Sequence, residues 1–129
     1  MKIIVTATEK DLNAPVDPRF GRCQYFITVD TETFDFSSQE NSQKNAIGGA
    51  GVQAAQTVAN EKVDAVITGS VGPNAFQTLN VAGVKIFTGA QGTVKDAVKA
   101  FKEGSLEEPD SSTVQSHHGM GGRGRSRQR

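Results

Sequence analysis

Cysteine occurs once, at position 23, tyrosine once, and tryptophan not at all. A single thiol cannot close an internal disulfide. It also excludes a site in which one chain supplies several thiolates, such as a four-cysteine zinc or iron–sulfur centre. Long apolar runs are missing too: none exceeds three residues. A transmembrane helix needs about 20, and a secretory signal needs an apolar stretch of about 7–15. The first residues, Met1-Lys2-Ile3-Ile4-Val5-Thr6, move straight into a strand-like run. The expectation is a cytoplasmic protein that spans no membrane. Net charge is absent only in the sum. Residues 1–110 carry ten Lys/Arg against fourteen Asp/Glu, and residues 111–129 carry four Arg and no acid. An acidic body joined to a basic tail is two physical objects.

At 129 residues the chain has room for one domain. Residues 2–7 (KIIVTA) and 24–29 (QYFITV) read as strands, and Thr33–Phe36 alternates as a short third strand after a turn at 30–32. Pro15 and Pro18 place 8–22 in a loop, and the polar stretch Ser37–Ile47 reads as another. The second half is more regular. A helix is expected to about Asn60, with Val52, Ala55, Val58 and Ala59 on its apolar face. Residues 63–68 form a strand, and a helix starts at Gly72-Pro73 with Phe76, Leu79 and Ala82 inward. Residues 84–88 form the next strand. Thr93 and Asp96 have capping-box spacing ahead of Val94, Ala97, Val98 and Phe101, and Gly104 closes that helix.

The order βββ-αβαβα implies an antiparallel hairpin joined to parallel strands, hence a mixed five-stranded sheet with packed helices. The periodic pattern stops at 106. The domain is expected over 1–106, and 107–129 reads as a disordered basic tail of Gly, Arg, Ser and His, too poor in apolar residues to offset its ordering entropy.

Three glycine-rich junctions feed helices: Gly48–Gly51, Gly69–Gly72 and Gly89–Gly92. Helix N-termini there offer free N–H groups and positive dipole ends suited to an anion. Glycine also serves tight turns and close helix–sheet packing, and both readings stand. No junction has the spacing of a Walker or dinucleotide motif, so nucleotides are disfavoured. The segment Asp17-Pro18-Arg19-Phe20-Gly21-Arg22-Cys23 is denser in chemistry. Flanking arginines favour a thiolate, which is both metal ligand and nucleophile. The competing reading makes Cys23 a small buried apolar residue, with Arg19 and Arg22 paired to carboxylates. In the tail, His117 and His118 could reach a metal held on the body. Arg123 and Arg125 belong to a polycation that could meet phosphates. It has no aromatics for stacking and joins an acidic body, so nucleic acid is disfavoured. The parallel strands end in Thr68-Gly69 and Thr88-Gly89 with no carboxylate, against a two-metal nuclease. Ser70 has no evident histidine base, since both histidines lie in the tail. An enzyme is therefore not expected.

Val16-Asp17-Pro18-Arg19-Phe20-Gly21-Arg22-Cys23-Gln24-Tyr25-Phe26 resembles the N-terminal signature of the dinitrogenase iron-molybdenum cofactor biosynthesis family, of the NifX/NafY type. Gly49–Ala55, Val66–Phe76 and Ala82–Ile86 match its later blocks in the same order, over about residues 1–106. The resemblance implies a ribonuclease H-like fold without nuclease activity. It also implies binding, carriage or storage of an iron–sulfur or iron–molybdenum-type cluster, as in small stand-alone members such as orange protein or an iron–sulfur storage protein. An iron–sulfur assembly or nitrogenase-type protein would be the partner. On that expectation Arg19, Phe20, Gly21, Arg22, Gly48, Gly49, Ala50, Gly51, Arg123 and Arg125 hold the anionic cluster, and Cys23, His117 and His118 supply metal ligands. The alternatives are a cofactor-free regulatory or protein-interaction module, and nucleic-acid binding through the tail. Oligomeric state is left open; a dimer would let two copies of Cys23 share one cluster.

Overall fold

The computed structural model describes residues 1–110. The tail candidates His117, His118, Arg123 and Arg125, and the expected disorder of 111–129, lie outside the described residues.

Five strands form one sheet. β1 (Lys2–Ala7) is central and pairs antiparallel with β2 (Tyr25–Asp30), which pairs antiparallel with β3 (Phe36–Glu40). On its other side β1 runs parallel to β4 (Ala65–Ile67), and β4 runs parallel to β5 (Lys85–Phe87). The sheet order is β3-β2-β1-β4-β5. Three helices cover it: α1 (Ala50–Asn60), α2 (Pro73–Val81) and α3 (Val94–Glu103).

Side chains of successive strand residues point to opposite faces, and this divides the core in two. Ile4, Phe26, Val66 and Ile86 pack against Ala54, Ala55 and Val58 of α1 and Ala75 and Leu79 of α2. Ile3, Val5, Ile27, Val29 and Ile67 pack against Val94, Ala97 and Val98 of α3. With both faces covered, β1 and β4 read as continuous apolar runs rather than alternating ones. The element order and the mixed sheet agree with the sequence reading, as does α3. There, Thr93 Oγ1 accepts the Asp96 N–H (3.1 Å), Asp96 Oδ2 accepts the Thr93 N–H (3.0 Å), and Gly104 ends the helix at φ 74°.

Three local expectations need correction. The third strand is Phe36–Glu40, not Thr33–Phe36. All five of its residues are exposed, so no burial alternation marked it. The preceding residues turn instead: Asp30 Oδ1 accepts the N–H groups of Glu32 and Thr33, and Phe34 takes φ 64°. On α1 the buried residues are Ala50, Ala54, Ala55 and Val58, while Val52 and Ala59 stay half-buried. On α2 they are Ala75 and Leu79; Phe76 is half-buried and Ala82 exposed. α1 and α2 share one sheet face and pack on each other, which turns their small residues inward. The chain also continues in contact with the sheet beyond 106. Glu107 pairs with Thr88 (Thr88 N–H to Glu107 O, 2.8 Å).

Candidate functional site

Parallel strands bring their C-terminal ends to one sheet edge, where helix N-termini gather. Here β1, β4 and β5 end in a row of buried threonines, Thr6, Thr68 and Thr88. Thr6 Oγ1 donates to the carbonyl of Asp17 (2.7 Å) and lies 2.8 Å from Thr68 Oγ1. Among the described residues no group of three His, Cys, Asp or Glu could hold a metal ion.

The loop between β1 and β2 is strapped across this edge. Its anchor is Asp17, fully buried. The Asp17 carboxylate accepts from the Arg19 N–H (3.1 Å), Arg19 Nε (3.2 Å), Arg19 Nη2 (3.3 Å) and the Gln24 N–H (3.3 Å). One carboxylate thus ties the second half of the loop, 17–24, together. Asn41, buried just after β3, grips the other side. Its Nδ2 donates to the carbonyls of Gly21 (3.1 Å) and Cys23 (3.0 Å). Ser70, after β4, closes the third side: its N–H donates to Pro18 O (2.9 Å). Two glycines make the approach possible. A Cβ on Gly21 would lie 2.8 Å from Gly51 Cα, and one on Gly69 would lie 2.6 Å from Pro18 Cα.

The loop apex therefore rests on the first turn of α1, and beside that contact lies a cavity of about 190 Å³. Its walls are Gly21 from the loop, Gly49, Gly51 and Val52 from α1, and Gly72–Ala75 from α2. Neither helix has a side-chain N-cap, and neither has an acidic residue in its first turn. Gly49 enters α1 at φ 75°, and Pro73 opens α2 without an N–H of its own. Two uncapped, positively polarised helix ends thus meet at one cavity without a carboxylate among its lining residues, an arrangement suited to an anion. The third glycine junction differs: Asp96 satisfies the N-terminus of α3 on the other sheet face.

Of the residues singled out in the sequence, Gly21, Gly49 and Gly51 line the cavity, Ala50 is buried between the latter two, and Gly48 (φ 94°) lies one residue outside the lining. Arg19 and Arg22 flank the cavity without lining it. The Arg19 guanidinium is engaged by Asp17, and Arg22 Nη1 donates to Lys44 O (2.8 Å). Phe20 is a core residue, its ring centroid 6.2 Å from that of Phe26. Cys23 is 0% exposed within the α1/α2 side of the core. Burial, reinforced by the Asp17 carboxylate, pushes the thiol up to about 12 and outweighs the expected lowering by Arg19. Sequence reasoning missed Asn41, which sits in a polar stretch with no signal of its own. It also missed the meeting of Gly72–Ala75 with α1, although Gly72-Pro73 was legible as a helix start.

Asn41→Ala is expected to leave two loop carbonyls without that donor. The loss should be about 1–3 kcal/mol of stability, read as an earlier urea midpoint with an unchanged slope.

A model of the family described as "Dinitrogenase iron-molybdenum cofactor" matches residues 1–104. An uncharacterized protein of Methanocaldococcus jannaschii is 31% identical over 98 residues, which is 74% of this chain and 83% of that protein. Among solved structures, the apo form of the orange protein from Desulfovibrio gigas is similar at TM-score 0.84 and 36% identity, covering 88% of this chain and 96% of its own. The NMR structure of a NifB-like protein of the DUF35 family from Thermotoga is similar at TM-score 0.75 and 39% identity, covering 88% and 97%.

Proposed function

Because this chain belongs to the dinitrogenase iron-molybdenum cofactor family, we propose that it binds and carries or stores an anionic metal–sulfur cluster, acts in the cytoplasm and catalyses no reaction. In the same reading the sheet and its helices form a ribonuclease H-like fold. The observation that carries it is the cavity between the uncapped N-termini of α1 and α2. Thiometallates are anions, and metal–sulfur clusters with sulfide or thiolate ligands can carry net negative charge. Backbone N–H groups at two helix ends hold such charge without a covalent bond. Gly21, Gly49 and Gly51 keep the walls thin, so the N–H groups lie close to the cargo. Arg22 raises the local positive charge, while the Arg19 charge is offset by Asp17; both arginines are exposed on the flanking loop.

In this reading Cys23 supports the loop from beneath and is not a ligand, since thiolate is the metal-binding form and the thiol is buried and kept protonated. In the same reading Arg123 and Arg125, beyond the described residues, attract the anion, and His117 and His118 are the chain's remaining candidate metal ligands. A nitrogenase-type or iron–sulfur assembly protein exchanges the cargo.

The test is anaerobic reconstitution with iron and sulfide, and separately with tetrathiomolybdate, followed by gel filtration. A visible chromophore should stay with the protein, more at low salt than at high salt, and Cys23→Ala should retain it. A colourless protein under both conditions would falsify the reading. Loss of the chromophore in Cys23→Ala alone would return the cysteine to the metal.

A further inference from the structure

The two edges of the sheet are treated differently. On the β5 side, Glu107 pairs with Thr88, and Glu108 and Pro109 line a groove with Val84, Lys85 and Ile86. On the β3 side, Phe36–Glu40 is exposed on both of its faces. It contains no proline or lysine and its register with β2 is uninterrupted by a bulge; its one charge, Glu40, stands at the end of the strand.

The register shows which backbone groups face outward. The Asn41 N–H donates to Gln24 O (3.0 Å) and the Asp30 N–H to Asp35 O (2.9 Å). Along the β2–β3 ladder the hydrogen-bonded pairs therefore include Phe26–Gln39 and Thr28–Ser37. Phe36, Ser38 and Glu40 form the alternate pairs, so their N–H and C=O groups point away from the sheet.

We infer that the β3 edge is a self-association surface, and that a second copy of this chain pairs with it antiparallel about a two-fold axis at Ser38. In that register Ser38 faces Ser38 of the second copy, and Phe36 faces Glu40 in both directions. All the outward groups are then matched, in about six hydrogen bonds. A shift by two residues in either direction loses a pair at the end. No like charges stand opposite each other: each Glu40 faces an aromatic ring and keeps its own partner, Lys44 Nζ, at 2.8 Å. Phe36, 45% exposed in the single chain, is partly covered. Five paired residues fall at the small end of specific interfaces, so the dimer is weak. The inference is independent of the cargo reading.

Sedimentation equilibrium of the full chain, from about 5 µM to about 1 mM, tests it. The weight-average mass should climb from 13.7 kDa toward twice that value. Ser38→Pro removes an outward N–H without touching the β2 ladder. Ser38→Lys sets two like charges against each other at the axis. Each should raise Kd at least about tenfold, with unchanged circular dichroism and melting. If the proline variant misfolds, the lysine variant, at an exposed side chain, decides. A monomer at every concentration overturns the inference. So does a dimer indifferent to Ser38→Lys, which would place self-association elsewhere, residues 111–129 included.

Discussion

Gly21→Ala is expected to cost about 1–3 kcal/mol of stability and to weaken retention of a metal–sulfur anion at least about tenfold. The new Cβ would lie 2.8 Å from Gly51 Cα, 2.9 Å from Gly51 N and 3.3 Å from the Ala50 carbonyl carbon. All three are backbone atoms, so no flexible side chain can swing aside. Either the loop lifts from α1 or the first turn of α1 shifts, and each movement opens the cavity wall and misdirects the N–H groups. Gly51→Ala makes the informative contrast. Its Cβ meets only Ala75 Cβ at 3.4 Å, an ordinary contact, and alanine is the better helix former by about 1 kcal/mol. That variant should fold at least as well as the parent while its extra methyl narrows the same cavity. Urea denaturation separates the two: an earlier midpoint for Gly21→Ala, an unchanged or later one for Gly51→Ala. A Gly21→Ala protein with parental stability and retention would mean that the loop does not need its contact with α1.

The second large effect is on alkaline stability. The Cys23 thiol has an ordinary value of 9.0 and is pushed up to about 12 in the folded chain, first by burial and then by the Asp17 carboxylate. A raised acid of this kind stabilises the fold fully below pH 9. Between pH 9 and about 12 the unfolded chain has lost a proton that the folded chain retains. Stability therefore falls as pH rises, by about 1.4 kcal/mol per pH unit from this group. Other groups titrate in the same range, so the measurement is a difference: unfolding free energy against pH for the parent and for Cys23→Ala. The substitution should remove that slope, at a cost of about 1 kcal/mol at neutral pH for the lost packing. The same burial predicts that a thiol reagent at pH 8 labels Cys23 only as fast as the loop or the fold opens. Immediate labelling of the native protein, or parallel pH curves for the two proteins, would show that Cys23 is accessible and normally acidic.

Both predictions concern features that the sequence displayed only in part. Gly21 and Gly51 were each legible as glycines near potential anion sites, yet their separation of thirty positions concealed a direct backbone contact. Cys23 had two open readings, and the nearer residues pointed the wrong way. Arg19 and Arg22 are its sequence neighbours, but Arg19 is exposed and drawn to Asp17, so the carboxylate and the surrounding apolar side chains prevail. The third strand was displaced because an exposed edge needs no apolar alternation, and alternation was the signal used to find strands.

The sequence by itself determined what depends on near neighbours along the chain. The order of strands and helices, the capping box at Thr93 and Asp96, the proline start of α2 and the glycine stops come from residues a few positions apart, and local sterics and hydrogen bonding decide them. The division into an antiparallel hairpin and a parallel half followed from the order of elements, consecutive strands first and alternating helices and strands after. Only the tertiary structure decided which glycine junctions share a cavity, because the sheet order sets α1 beside α2 and puts α3 on the opposite face. The same order buried Cys23 and left β3 as an open edge. Those outcomes depend on which surfaces meet when the two cores close on the sheet, and residues far apart in the chain carry no local trace of that meeting.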